Sequence, residues 1–187
     1  AVVLGQPGLS DRSAGWAPLA GAGAAGAGDG PGFQVRVVDP ASRAVLFGFD
    51  PFPGFVGAVR VATGDTNGDG VPDLVVTPGP GGAPHVKAFD GQTGALLASF
   101  FAFDPGIRAG LSVAIGDIDG DGRADVVVAP EVGERAHVKA FTAGGGLVRS
   151  FYAFDPGFVG GARVAAADVD GDGVADIVAA AGLGGRG

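Results

Sequence analysis

The sequence predicts an all-β protein: an array of four-stranded antiparallel blades, about three to four repeat units of ~52 residues each. Three observations predict it. An Asp-rich segment recurs at a fixed step, and short apolar runs flank every copy. In addition, 38 glycines and 13 prolines in 187 residues exclude long helices and demand many turns.

The repeat rests on three markers in one register. Gly64-Asp-Thr-Asn-Gly-Asp-Gly-Val-Pro-Asp73 returns as Gly116-Asp-Ile-Asp-Gly-Asp-Gly-Arg-Ala-Asp125 and as Ala167-Asp-Val-Asp-Gly-Asp-Gly-Val-Ala-Asp176, at offsets of 52 and 51. Gln34-Val35, His85-Val86 and His137-Val138 keep the same step, at 51 and 52, and Phe49-Asp50-Pro51, Phe103-Asp104-Pro105 and Phe154-Asp155-Pro156 follow at 54 and 51. Internal periods of this size are the signature of repeat architectures.

Within a unit the first run alternates apolar side chains (Val59, Val61; Leu111, Val113, Ile115; Ala162, Val164), the mark of a half-buried strand. The second follows the Asp-rich loop and is continuously apolar: Leu74-Val75-Val76, Val126-Val127-Val128, Ile177-Val178. A Gly/Pro turn such as 78–82 ends it. The third spans His85 to Phe89, His137 to Phe141 and Gln34 to Val38, before a hairpin turn signalled by Asp90-Gly91. The fourth runs from Leu96 to Phe103, Leu147 to Phe154 and Ala44 to Phe49. The alternating aromatics of that run (Phe101 and Phe103, Tyr152 and Phe154, Phe47 and Phe49) are assigned to packing between blades.

Four antiparallel strands in about fifty residues is the size of one β-propeller blade, and stacking such blades buries both faces of each sheet. The division read here is an atypical N-terminal segment over 1–32, then blade repeats over 33–187. These are partial at 33–51, whole at 55–104 and 107–155, and partial at 158–187. Trp16 and Leu19 are candidates to anchor a weak strand or cap in the first segment. The partial units raise self-assembly by strand exchange, one copy's strands completing another's blade.

Composition bounds the function. With 20 acidic and 12 basic residues, the net charge of −8 disfavours nucleic acid and makes cations natural partners. There is no Cys, and no apolar run long enough to insert in a membrane. The chain opens at Ala1 and reads as a processed or excised segment. No nucleophile elbow is present, and the two histidines are repeat-equivalent, so no catalytic residue is assigned and the chain is not read as an enzyme. Glu131 and Glu134 are expected to pair with Arg135 in solvent.

Eleven Asp fall in the three loops, and such crowding repels itself unless a cation lies among the carboxylates. The pattern Asp-x-[Asp/Asn]-x-Asp-Gly-x-x-Asp offers side-chain oxygens at positions 1, 3, 5 and 9 and a carbonyl at position 7. Hard oxygen donors at this density suit Ca2+. The predicted metal sets are Asp65, Asn67, Asp69, the Val71 carbonyl and Asp73; Asp117, Asp119, Asp121, the Arg123 carbonyl and Asp125; and Asp168, Asp170, Asp172, the Val174 carbonyl and Asp176. Gly70, Gly122 and Gly173 allow the sharp turn at position 6. The first loop has one carboxylate fewer, which predicts the weakest calcium site. An EF-hand is excluded because position 12 is Val76, Val128 or Ala179 instead of an acid, and because the flanks are strand-like.

The Gly-Asp-x-[Asn/Asp]-Gly-Asp-Gly-x-x-Asp segment followed by an apolar strand resembles the FG-GAP repeat. That family includes the integrin α-subunit propeller and many bacterial surface or secreted proteins, often described as VCBS-repeat proteins. The resemblance covers about residues 33–187, with Phe55-Val-Gly57 and Gly82-Ala-Pro84 as loose versions of the name-giving elements. It implies an extracellular calcium-binding module with a structural, adhesion or assembly role, the calcium loop joining strands one and two of each blade. A protein or glycan partner is compatible with this. The alternatives are a lectin-like or other ligand-binding propeller, with His85 and His137 as the place to look, or the propeller part of a larger secreted enzyme.

Overall fold

The computed structural model describes residues 23–26 and 34–183, and among them every regular element is a β-strand. Asp-rich loops, Gly/Pro turns and hairpins cut the chain into short runs, so no segment is long enough for a stable helix. Trp16 and Leu19 lie outside the described residues.

Four antiparallel sheets follow one another. In the first, β1 (Gly23–Gly26) and β2 (Val35–Val38) pair on either side of β3 (Val45–Asp50). The second sheet is a meander of β4 (Val59–Gly64), β5 (Asp73–Pro78), β6 (His85–Phe89) and β7 (Leu96–Phe101). The third repeats it with β8 (Leu111–Gly116), β9 (Asp125–Pro130), β10 (His137–Phe141) and β11 (Leu147–Tyr152). The fourth holds β12 (Ala162–Ala167) and β13 (Asp176–Ala181). β1 adds to the fourth-strand side of its sheet, so this part of the N-terminal segment does not occupy the place that the first or second strand takes in the four-stranded sheets.

The continuous apolar run of each second strand is explained by burial on both faces. All six residues of β5 and of β9 are buried. Leu74 and Val76 face back into a cluster with Val35, Phe49, Phe52 and Phe89, whereas Val75 faces forward to Leu111, Val126, Val128 and Phe141. Val127 faces forward again, into a cluster with Ala162 and the partly buried Ile177 and Ala179. Successive residues of one strand thus join successive interfaces. Burying a Val or Leu side chain in this way is worth about 1.5–3 kcal/mol.

The first strands β4, β8 and β12 lie side by side. Glycine sets how closely: a side chain at Gly110 or at Gly161 would run into the backbone of the preceding sheet's 79–80 or 130–131 turn, and both glycines have positive φ. Cross-sheet bonds hold the approach. The Thr77 hydroxyl donates to the Leu111 carbonyl at 3.1 Å, and the Val164 amide to the Ser112 hydroxyl at 3.0 Å.

Two expectations are corrected. The fourth strands end at Phe101 and Tyr152, so Phe103 and Phe154 belong to the connections. Phe47, Phe49, Phe103 and Phe154 do pack between sheets, Phe49 edge-on to Phe89 at 5.2 Å and Phe103 on His137 at 5.5 Å. On the strand itself it is Phe100 that packs forward, its ring 5.2 Å from Phe141, while Phe101 and Tyr152 stack on His85 and His137 of their own sheets and stay half exposed. Glu131, expected in solvent with Arg135, is fully buried. It accepts from Arg60 Nε at 2.6 Å and Nη2 at 2.8 Å, and from Arg163 Nη1 at 2.8 Å.

Arg60 and Arg163 sit at equivalent positions of β4 and β12, so one carboxylate of the third sheet ties the second to the fourth. Removing its charge leaves two guanidiniums sharing a neutral partner. Glu131→Gln is expected to cost about 2–3 kcal/mol, less than for a fully buried pair because both arginines are partly solvated. Urea denaturation measures it, with Glu134→Gln, expected within about 0.5 kcal/mol of the parent, as the control.

Candidate metal centres

Each Asp-rich loop joins the first strand of a sheet to the second, β4 to β5, β8 to β9 and β12 to β13. Its shape follows from the position-one carboxylate. Asp65 Oδ1 accepts from the Gly68 and Asp69 amides at 2.7 and 3.1 Å, and Oδ2 from the Gly70 amide at 2.8 Å. Asp117 repeats the three bonds with Gly120, Asp121 and Gly122, and Asp168 with Gly171, Asp172 and Gly173. The chain wraps one carboxylate by turning through positive φ at position four as well as six: Gly68 and Gly70, Gly120 and Gly122, Gly171 and Gly173. The sequence assigns the sharp turn to the position-six glycines alone; the position-four glycines share it.

Position five orders the exit, its Oδ1 accepting the position-seven amide in all three loops (Asp69 with Val71, Asp121 with Arg123, Asp172 with Val174). Position nine opens the second strand and holds the position-two amide. Asp73 accepts from Thr66 at 2.9 Å, Asp125 from Ile118 at 3.1 Å and Asp176 from Val169 at 3.0 Å.

The fold brings predicted ligands together. Oxygens of Asp117, Asp119 and Asp125 lie within 4.8 Å of one another, as do those of Asp168, Asp170 and Asp176. Asp121 and Asp172 stand outside these triads. In the first loop, position three is Asn67, whose amide nitrogen donates to Asp69 at 3.3 Å and to Asp90 at 3.0 Å. In the sequence Asp90 carries only a hairpin signal. The β6–β7 turn carries it to the first loop, 23 residues along the chain from Asn67, so a further carboxylate stands beside the loop that has one fewer of its own.

The donor set fits a hard divalent cation: all oxygen, mostly anionic, with neither sulfur nor imidazole among it. Charge supports the fit. Burial raises the Asp125 pKa most, the Ile118 amide opposes it, and the charges of Asp119, Asp121 and Asp117 add to the rise, leaving it at about 6. A cation among these oxygens would relieve that repulsion.

The histidines occupy a second, repeated setting at the opposite end of the strands. His85 Nε2 bonds the Ser99 hydroxyl at 2.8 Å and its ring stacks on Phe101; His137 does the same with Ser150 and Tyr152. Lys87 and Lys139 reach back from the same strands to the carbonyls of Pro51 and Ala102 in the preceding connections. Burial and then the neighbouring lysine lower the pKa of each histidine. A folded pKa below the unfolded 6.5 means stability that is present above pH 6.5 and lost as the pH falls through the folded value. The double variant His85→Gln/His137→Gln is therefore expected to lose less stability than the parent between pH 7 and about pH 5, as read by denaturant midpoints at each pH.

A family model described as an FG-GAP-like repeat matches residues 65–128, from the first residue of the first loop to the middle of β9. No curated protein matches the chain.

Proposed function

With an FG-GAP-like repeat over residues 65–128 as the premise, we propose that the chain is a non-catalytic calcium-binding module whose sheets are blades of a propeller-like array. In this reading Ca2+ in the three loops is structural. It rigidifies the turn from first to second strand and so the stacking of blades, in an extracellular setting of adhesion or assembly. The observation that carries the reading is the convergence of three carboxylates in each of two loops, with a third loop of matching hydrogen bonds. Asp65, Asn67, Asp69, Asp73 and the Val71 carbonyl would hold the first ion, with the equivalent residues of the other loops holding theirs. The extracellular setting is supported by the repeat family, and no helix of the described residues is long and apolar enough to cross a membrane.

Calcium present at 100 times its Kd would add about 2.7 kcal/mol for each site. Three sites would then rival the whole stability of a small domain, about 5–15 kcal/mol. Excess chelator is expected to lower the melting temperature steeply, and calcium, more than magnesium, to restore it. An unchanged melt in chelator would sink the structural role.

The assembly part of the reading rests on the last sheet. Val178 is 48% exposed, whereas its equivalents Val75 and Val127 are fully buried, and Phe151 is 42% exposed where Phe100 packs on Phe141. A strand of the β6 or β10 kind laid along β13 would cover both. In the register seen for β9 and β10, β2 of a second copy would set Val38 against Ile177 and Val37 against Val178. Sedimentation with calcium is expected to show an associated species, and Val178→Lys to shift it towards the monomer. A monomer in both cases would remove the assembly role.

A further inference from the structure

Each candidate loop is joined to the next by one peptide hydrogen bond. The Ala124 amide of the second loop donates to the Asp65 carbonyl of the first at 2.8 Å, and the Ala175 amide of the third donates to the Asp117 carbonyl of the second at 2.7 Å. Donors stand at position eight and acceptors at position one. Both bonds cross between sheets and belong to no strand ladder.

The peptide group that carries each donor also carries the position-seven carbonyl. Arg123 C=O and Ala124 N–H are two ends of one planar unit, and so are Val174 C=O and Ala175 N–H. With no cis peptide among the described residues, each carbonyl points opposite to its amide. An amide held by the preceding loop therefore keeps its carbonyl turned away from that loop.

The row continues past the acceptor. Asp65 C=O shares its peptide with the Thr66 N–H, which donates to Asp73 Oδ2 at 2.9 Å. Asp117 C=O shares its peptide with the Ile118 N–H, which donates to Asp125 Oδ2 at 3.1 Å. Two peptide groups thus lead from the Val174 carbonyl to the Asp125 carboxylate, and two more from the Arg123 carbonyl to the Asp73 carboxylate. Side chains close the same gap: a Cβ on Gly68 would stand 3.2 Å from Arg123 Nε, and one on Gly120 would stand 3.3 Å from Val174 Cγ2.

Resting on the calcium reading above, we propose that the three loops bind their cations as one coupled row, with the Arg123–Ala124 and Val174–Ala175 peptide groups as the couplings. A cation at the carbonyl end of a peptide draws electron density from it and strengthens the N–H as a donor, and hydrogen bonds in series polarise one another. The strengthened bond holds the preceding loop's position-one backbone in place and, through Thr66 or Ile118, its position-nine carboxylate. Part of the ordering cost of the preceding site is then already met. Coupling is reciprocal, so each filled loop raises the affinity of its neighbour. Direct repulsion between neighbouring divalent ions works against this coupling, and salt screens it.

The test is a calcium titration of the 15N-labelled chain, followed by NMR at the Gly70, Gly122 and Gly173 amides. Each reports one loop, because each donates to that loop's position-one carboxylate. Asp168→Ala disables the third loop and is expected to move the Gly122 midpoint to about 5-fold higher calcium or more. Ala175→Pro removes the linking amide, at a position where the first loop already carries Pro72, and is expected to move Gly122 likewise while Gly173 still responds. A Gly122 midpoint that stays put in both variants overturns the coupling and leaves calcium binding intact. Glycine signals that ignore calcium in the parent chain overturn both. Should Ala175→Pro fail to fold, Asp117→Ala read at Gly173 replaces it, and an unmoved Gly173 midpoint there overturns the coupling.

Discussion

A four-stranded sheet with apolar side chains on both faces has to be covered on both, and that constraint organises this chain. β5 and β9 are buried from end to end, with neighbouring residues sent to opposite interfaces. The second and third sheets therefore each serve as half of two cores. Stability is shared between sheets instead of being contained in one, as in repeat proteins generally.

The loops inherit this arrangement. Asp73 and Asp125 open the buried second strands and are themselves buried, at 1% and 3% exposure. Asp176, on the sheet whose forward face nothing among the described residues covers, stays in solvent. The same motif thus sits in different dielectric surroundings. Asp125, buried beside three other aspartates, is pushed up to about 6. Loops alike in sequence become unlike through the sheets packed beside them.

Much of the fold was legible because it rests on local patterning. Alternating runs marked first strands, continuous runs marked second strands, and Asp90-Gly91 marked the β6–β7 hairpin. The acidic loops were legible because their carboxylates all come from nine consecutive residues. What escaped was set by neighbours distant in sequence. Phe100 and Phe101 are adjacent aromatics, and which of them faces the next sheet depends on the register of β7 against β6. Glu131 looked like a loop acid because its partners lie 71 and 32 residues away. Asp90 looked like a turn residue because the first loop reaches it only through space.

By itself, the sequence determined the repeat, the strand order within a unit and the composition of each acidic loop, since all of these depend on spacings within about ten residues or on a period of 51 to 52. The tertiary structure alone decided which side chains cross between sheets, which carboxylates are buried, and that the Ala124 and Ala175 amides join one loop to the next. The reason is that backbone amides and carbonyls carry no sequence signature. Any residue can supply them, and only the close stacking of one sheet on another brings a particular pair within bonding distance.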